Sequence, residues 1–100
     1  MKNLEEKLAL HKLWLDREEG GVLLDLSGEY LSGEYLSDAN LSSTNLSDAN
    51  LSYADLSYAN LSDANLRGTN LSYANLRGTN LSSTNLSDAK VINNPGRLVI

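Results

Sequence analysis

The chain has 100 residues, of which 41% are hydrophobic, and a net charge of −5 from 13 acidic and 8 basic side chains. That length accommodates one domain, and the acidic balance argues against a phosphate-binding surface, because affinity for nucleic acid rests on clustered Lys and Arg that release counterions. The absence of cysteine excludes disulfides and thiolate zinc sites, and no stretch approaches the roughly 18 apolar residues of a membrane span. The opening MKNLEEKLALHK carries acids where a signal peptide needs an apolar run, so the expected compartment is the cytoplasm.

Residues 1–21 read as an N-terminal capping helix and loop. A helix is predicted from Asn3 to about Arg17. Asn3 serves as N-cap, Glu6 three residues later completes a capping-box pattern, and Gly20-Gly21 supply the stop. Its apolar residues Leu4, Leu8, Leu10, Leu13, Trp14 and Leu15 spread beyond a narrow stripe, so one face is expected to lie on the open end of whatever follows. Val22, Leu24 and Leu26 alternate as a first strand.

From Leu26 to Lys90 run thirteen consecutive pentapeptides without insertion, LSGEY, LSGEY, LSDAN, LSSTN, LSDAN, LSYAD, LSYAN, LSDAN, LRGTN, LSYAN, LRGTN, LSSTN and LSDAK. Their leucines can share one interior only if the chain turns a corner every five residues, since neither the helical nor the strand period keeps them together. Leucine and the small fourth residue then point inward, serine and asparagine outward, and four sides close a square coil of twenty residues. The small Ala or Thr is required because four leucines already crowd the axis.

Segments such as Ala39-Asn40-Leu41-Ser42 and Ala59-Asn60-Leu61-Ser62 resemble the pentapeptide-repeat family, with its consensus Ala-Asp/Asn-Leu-X-X. The resemblance implies an all-β solenoid, a right-handed quadrilateral β-helix over residues 22–92 with an N-terminal capping α-helix, here of about 3.25 coils. Units this close to identity are expected of a recently expanded gene or of a consensus-designed protein. Residues 93–100 form the third region, where Asn93-Asn94-Pro95-Gly96 reads as a turn. The apolar tail Leu98 to Ile100 is expected to form a hairpin, fold over the last coil, or pair with a second chain as a homodimer.

Recurrent outward Asn, at Asn40, Asn60 and Asn80 for example, is expected to stack as amide ladders up each side. The serines lack a base and an orienting acid, because the one histidine, His11, lies on the cap, where it is also a poor metal site alone. No catalytic residue, cofactor or metal site is therefore expected. Glu29 and Glu34 occupy the inward small position and are expected to meet backbone donors or Lys7 and Lys12 of the cap. Twenty-residue spacing puts Gly28, Asp48, Gly68 and Asp88 in one column, an alternation that avoids like-charge repulsion between neighbouring rungs.

The candidate partner-binding residues are Tyr53 and Tyr73, on one side a coil apart, with Tyr58 on the next side and Arg77 close to it. The function expected is a non-catalytic structural or protein-interaction scaffold. The family resemblance supplies the alternative, an acidic DNA mimic that regulates DNA gyrase, because some members act that way. The threonines Thr44, Thr69, Thr79 and Thr84 fall at the inward position and do not form an exposed array.

Overall fold

The structure is a computed structural model that describes residues 4–92. The capping box at Asn3 and the turn and tail of 93–100 lie outside the described residues. Helix α1 spans Leu4–Leu15, with Glu5 and Glu6 in its first turn and Lys12 in its last, each charge matched to the helix dipole. It ends at Arg17 rather than at the glycine pair. Arg17 adopts φ 58°, its N–H bonds the Trp14 carbonyl at 3.1 Å, and the Glu18 N–H reaches back to the Leu13 carbonyl at 2.9 Å. These two bonds form a Schellman motif, with an arginine in the left-handed position usually held by glycine.

Gly20 and Gly21 do other work. Gly20 turns the chain at φ 85°, and Gly21 passes so close to α1 that a Cβ there would lie 2.5 Å from the Trp14 Cα and 2.7 Å from the Leu13 carbonyl carbon. The Val22 N–H then bonds the Leu10 carbonyl at 3.0 Å, which lays the loop along the helix. The strand expected over Val22 to Leu26 is reduced to one bridging residue, Asp25, because the segment is spent on this return.

Beyond Asp25 the chain winds into stacked coils of twenty residues. Every fifth residue forms a parallel bridge to the residue twenty ahead, from Asp25↔Asn45 through Asn70↔Lys90. Each pentapeptide turns on its second and third residues: the fourth N–H bonds the leucine carbonyl, as from Ala39 to Leu36 at 3.1 Å, while the third residue sits at positive φ. This is the type II turn pattern. With a turn in every five residues no run is long enough for an extended strand, so in place of the expected strands the coils are built of single bridges and corners. Leucines from Leu26 to Leu71 fill the axis, nearly all at 0–2% exposure, and Ala49, Ala54, Ala59 and Ala64 pack between them. Thr69 and Thr79 take the same inward position because their hydroxyls donate to the Leu46 and Leu56 carbonyls of the preceding coil, at 2.9 and 2.8 Å.

The asparagines act within their own corners rather than as amide ladders. The Asn60 Oδ1 accepts the Ser62 N–H at 2.9 Å, and the Asn70 Oδ1 accepts both the N–H and the hydroxyl of Ser72, at 3.0 and 2.6 Å. An amide oxygen two residues upstream is well placed to close an Asx turn, which leaves it committed locally. Side-chain stacking between coils occurs at serine instead, where Ser32 meets Ser52 Oγ at 3.0 Å and Ser37 meets Ser57 Oγ at 3.1 Å.

Helix α1 stands where a preceding coil would be. Leu4 and His11 are buried and Leu8 packs on the core, a stripe at helical spacing. His11 is fully buried: its Nδ1 accepts the Leu24 N–H at 3.1 Å and its Nε2 contacts the Ser42 carbonyl at 2.8 Å and Thr44 Oγ1 at 3.3 Å. Because Nδ1 is an acceptor, the ring carries its proton on Nε2 and donates to Ser42. In later coils the equivalent carbonyl, that of Ser62, accepts a backbone N–H from Ser43 at 2.9 Å. One imidazole thus replaces a missing backbone donor and gives the first coil edge a partner.

Candidate protein-interaction face

The corner geometry decides which side chains face outward without a structural duty. The third residue of each unit carries φ between 57° and 64° when it is not glycine, at Asp38, Ser43, Asp48, Tyr53, Tyr58, Asp63, Tyr73, Ser83 and Asp88. Left-handed backbone suits Gly, Asn and Asp and is unusual for a bulky side chain. Three tyrosines nevertheless occupy it.

Tyr53 and Tyr73 stack across adjacent coils, with ring centroids 5.1 Å apart and planes inclined by 19°. They remain 64% and 40% exposed. Tyr58 projects from the next corner, 56% exposed, and its ring leans over Gly78, where a Cβ would come 2.5 Å from Cδ1. Arg77 adjoins Tyr58 through the backbone, its carbonyl accepting the Tyr58 N–H at 2.7 Å. The four residues singled out by spacing therefore sit on neighbouring corners. Between those corners runs the side that bears Tyr35, Asp55 and Asn75, bridged in that order. Tyr35 is 76% exposed, so four of the chain's five tyrosines border this one side, and Tyr30 lies on the adjoining side at 73% exposure. Sequence reasoning passed over Tyr35 and Tyr30 because they stand at the position used elsewhere by Asn.

Side chains at the third position lean toward the following coil. Asp48 lies over Gly68 as Tyr58 lies over Gly78, since a Cβ at either glycine would meet them. The alternation of Asp and Gly thus has a steric cause beside the electrostatic one. Gly33, one coil before Tyr53, has nothing within 4 Å of a Cβ position, so the step next to the outer face of Tyr53 is open.

The electrostatics of this side are acidic. Asp55 Oδ1 accepts the Ser57 hydroxyl at 2.6 Å and its N–H at 3.0 Å, and these bonds hold its carboxyl below the usual carboxylate range. Asp25 is lowered chiefly by the Ser27 N–H, which its Oδ1 accepts at 3.0 Å. At the other pole, Lys12 engages Asp16 at 2.8 Å, and Lys7 and Asp25 line one groove. Glu29 and Glu34 are half-buried at the small position. A groove of about 200 Å³ separates the cap from the chain that leads into the coils, lined by Lys7, Leu10, Val22, Leu23, Leu24 and Asp25.

The Ser57, Ser72 and Ser82 hydroxyls donate to the upstream Asp or Asn oxygen at 2.6 Å, and both ring nitrogens of His11 are engaged in the buried cap contact. Among the described residues no cluster of three or more His, Cys, Asp or Glu could hold a metal ion, and no helix is long and apolar enough to cross a membrane.

The twenty-residue register agrees with a family-wide pattern: the model for pentapeptide repeats matches residues 30–68 and 59–93, with eight copies. The chain belongs to the pentapeptide-repeat family. Its repeats are similar to a pentapeptide repeat protein from the thylakoid lumen of Arabidopsis thaliana, at 36% identity and a TM-score of 0.68, over 69% of this chain and 48% of that one. They are similar also to the pentapeptide repeat protein Rfr23 from the cyanobacterium Cyanothece 51142, at 44% identity and a TM-score of 0.53, over 67% of this chain and 49% of that one. This chain spans about half the length of these two relatives. No curated protein matches it.

Proposed function

We propose that this pentapeptide-repeat chain, wound in the right-handed sense that family membership implies, is a non-catalytic scaffold that presents a protein-binding face. The observation that carries the reading is the placement of Tyr53, Tyr58 and Tyr73, exposed rings held at φ 60–62° on adjoining corners. Left-handed backbone costs roughly 1–2 kcal/mol for each non-glycine residue, which glycine at these corners would avoid, and the one stacked pair, Tyr53–Tyr73, returns only about 0.5–1.5 kcal/mol of it. Exposed aromatic residues beside an arginine are typical interface anchors. The test replaces Tyr53, Tyr58 and Tyr73 with Ser, the residue already present at the Ser43 and Ser83 corners. Folding is expected to be retained and recovery of crosslinked partners lost; an unchanged set of partners refutes the reading.

At the far end Leu86, Val91 and Ile92 are 41–43% exposed, against 0% for Leu51 and Leu61 in the middle coils. This supports a homodimer through the end that carries Leu98 to Ile100, detectable by light scattering as a dimer lost on deletion of those residues. Inhibition of gyrase supercoiling by the intact chain at low concentration would overturn the scaffold reading in favour of mimicry. The acidic corner column supports mimicry weakly, since Gly68 separates Asp48 from Asp88 and Arg67 lies 3.9 Å from Asp88.

A further inference from the structure

We infer that the tyrosine-bordered side is a docking site for an arginine-bearing extended segment of a partner protein, with a guanidinium stacked on the outer face of Tyr53 in the open step beside Gly33. The inference rests on the scaffold reading and names the chemistry of its partner.

Two observations and the geometry of an extended strand converge. First, the Tyr53–Tyr73 pair presents a ring whose inner face is covered by its neighbour at 5.1 Å, while on the other side a Cβ at Gly33 would meet nothing within 4 Å beyond its own chain neighbours. A stacked pair fixes the orientation of the outer ring, and a planar cation is the group that gains most from a pre-oriented aromatic face. Second, carboxylates flank that platform. Asp55 lies between the Tyr53 and Tyr58 corners one coil beyond Tyr35, and Asp38 stands one coil before Tyr58 in the same column. Arg77 is the one described cation on that side, at its far end, and the whole chain carries −5. The charge therefore complements a cationic segment and disfavours an acidic one.

Third, the spacing suits an extended peptide. Successive coils repeat at the strand separation of about 4.8 Å, and alternate residues of an extended chain are about 6.8 Å apart, so a strand crossing the side diagonally can place one side chain at the Tyr53 step and another beside Asp38 or Asp55. Arginine is favoured over lysine because its plane matches the ring and its fork can bond a carboxylate while stacked.

The experiment is an amide-resolved NMR titration of the intact chain with the synthetic peptide Gly-Arg-Gly-Arg-Gly, and with its Lys and citrulline counterparts. Shifts are expected to concentrate at Gly33, Tyr53, Asp55 and Tyr58, with the Lys peptide weaker and the citrulline peptide weakest. The double variant Tyr53→Gly with Tyr73→Gly is expected to weaken binding on the order of tenfold while melting within a few degrees of the parent, because glycine relieves the left-handed strain as the stack is lost. The Ser pair at the same positions should behave alike, and Asp55→Asn should weaken the Arg peptide more than the citrulline one. Equal shifts at Asp63, on the corner diagonally opposite Tyr53, or affinity untouched by the tyrosine variants, would overturn the proposal as unspecific charge attraction. A sharp fall in melting temperature for both pairs would overturn it by showing that the rings serve the fold. If the Arg peptide does not bind but crosslinked partners still require Tyr53 and Tyr58, the arginine inference falls and the scaffold reading stands.

Discussion

Replacing His11 with Leu keeps apolar volume at the centre of the cap but removes both ring nitrogens, leaving the Leu24 N–H and the Ser42 carbonyl without the partners they now hold at 3.1 and 2.8 Å. The ring site is fully buried, so water does not substitute for the lost bonds without opening the cap. Each buried group left unpaired costs about 1–3 kcal/mol, which sums to roughly 2–6 kcal/mol for the pair. In a domain of this size 1 kcal/mol moves the melting temperature by about 4–8 °C, so a fall of about 8 °C or more is expected by circular dichroism. Repeat stacks couple mainly to nearest neighbours, so the damage should be local: faster amide exchange at Leu24 and Leu26, with protection kept at Leu61 and Leu66. His11→Gln should recover part of the loss, because a carboxamide can both accept and donate. A Leu variant that melts within about 3 °C of the parent, under 1 kcal/mol on this scale, with the Leu24 amide still protected, would refute the assignment of His11 as the edge plug.

Further expectations concern the backbone and the carboxylates. Gly21→Ala should destabilise the cap more than Gly20→Ala, because the first places a methyl against helix backbone whereas the second meets open space and only left-handed strain of about 1 kcal/mol; Trp14 fluorescence during thermal melts ranks the two, and the reverse order would contradict the close approach. Arg17→Gly should stabilise α1 by roughly 0.5–1 kcal/mol by relieving φ 58° at the helix end, read as a higher urea midpoint; a lower midpoint would show that the Arg17 side chain matters more than its backbone. Asp55 has a carboxyl lowered by the Ser57 hydroxyl and N–H, so its contribution is present above the unfolded value near pH 3.9 and is lost as pH falls through the lower folded value. Asp55→Asn keeps the corner acceptor without the titration, so the stability difference between parent and variant should shrink between about pH 5 and pH 2; parallel curves would discount the Ser57 bonds as the cause.

The repeat architecture was legible because position determines environment in a five-residue unit. Leu26, Leu31 and their successors could share an axis only in a coil of corners, and Ala49, Ala54 and Ala59 pack where crowding demanded a small residue. What the reading missed was the conformation of the corner, although a signal was present: eight of the thirteen third positions are Gly or Asp, residues suited to positive φ. Periodicity alone makes the asparagines ladder residues, because exposed amides one coil apart do stack in other cross-β arrangements. Their commitment to Asx turns depends on a backbone N–H two residues on, a local contact that side-chain periodicity does not reveal. The helix end near Arg17 is legible, but not its cause: two glycines nearby offer the more obvious terminator, while the left-handed cap is an arginine. His11 was set aside as a poor lone ligand, whereas its helical spacing from Leu4 and Leu8 already placed it on the face that meets the coil.

In a unit this constrained, the sites at which surface chemistry can vary are few. After the first two units, the first and fourth residues fill the core, the fifth, where it is Asn or Asp, closes its corner through an Asx oxygen, and the second shares that oxygen or, as at Ser52 and Ser57, meets the serine of a neighbouring coil. The third residue is left, at the apex, and its left-handed backbone penalises every side chain but glycine and, less so, Asp or Asn. A bulky residue there persists only against that penalty, which makes the apex a place where function and folding pull in opposite directions. Tyr53, Tyr58 and Tyr73 all stand at it, on two adjoining corners out of four, while the other two corners carry only Gly, Asp and Ser. A requirement for stiffness alone would act on all four corners alike, whereas a partner docking as proposed would act on these two.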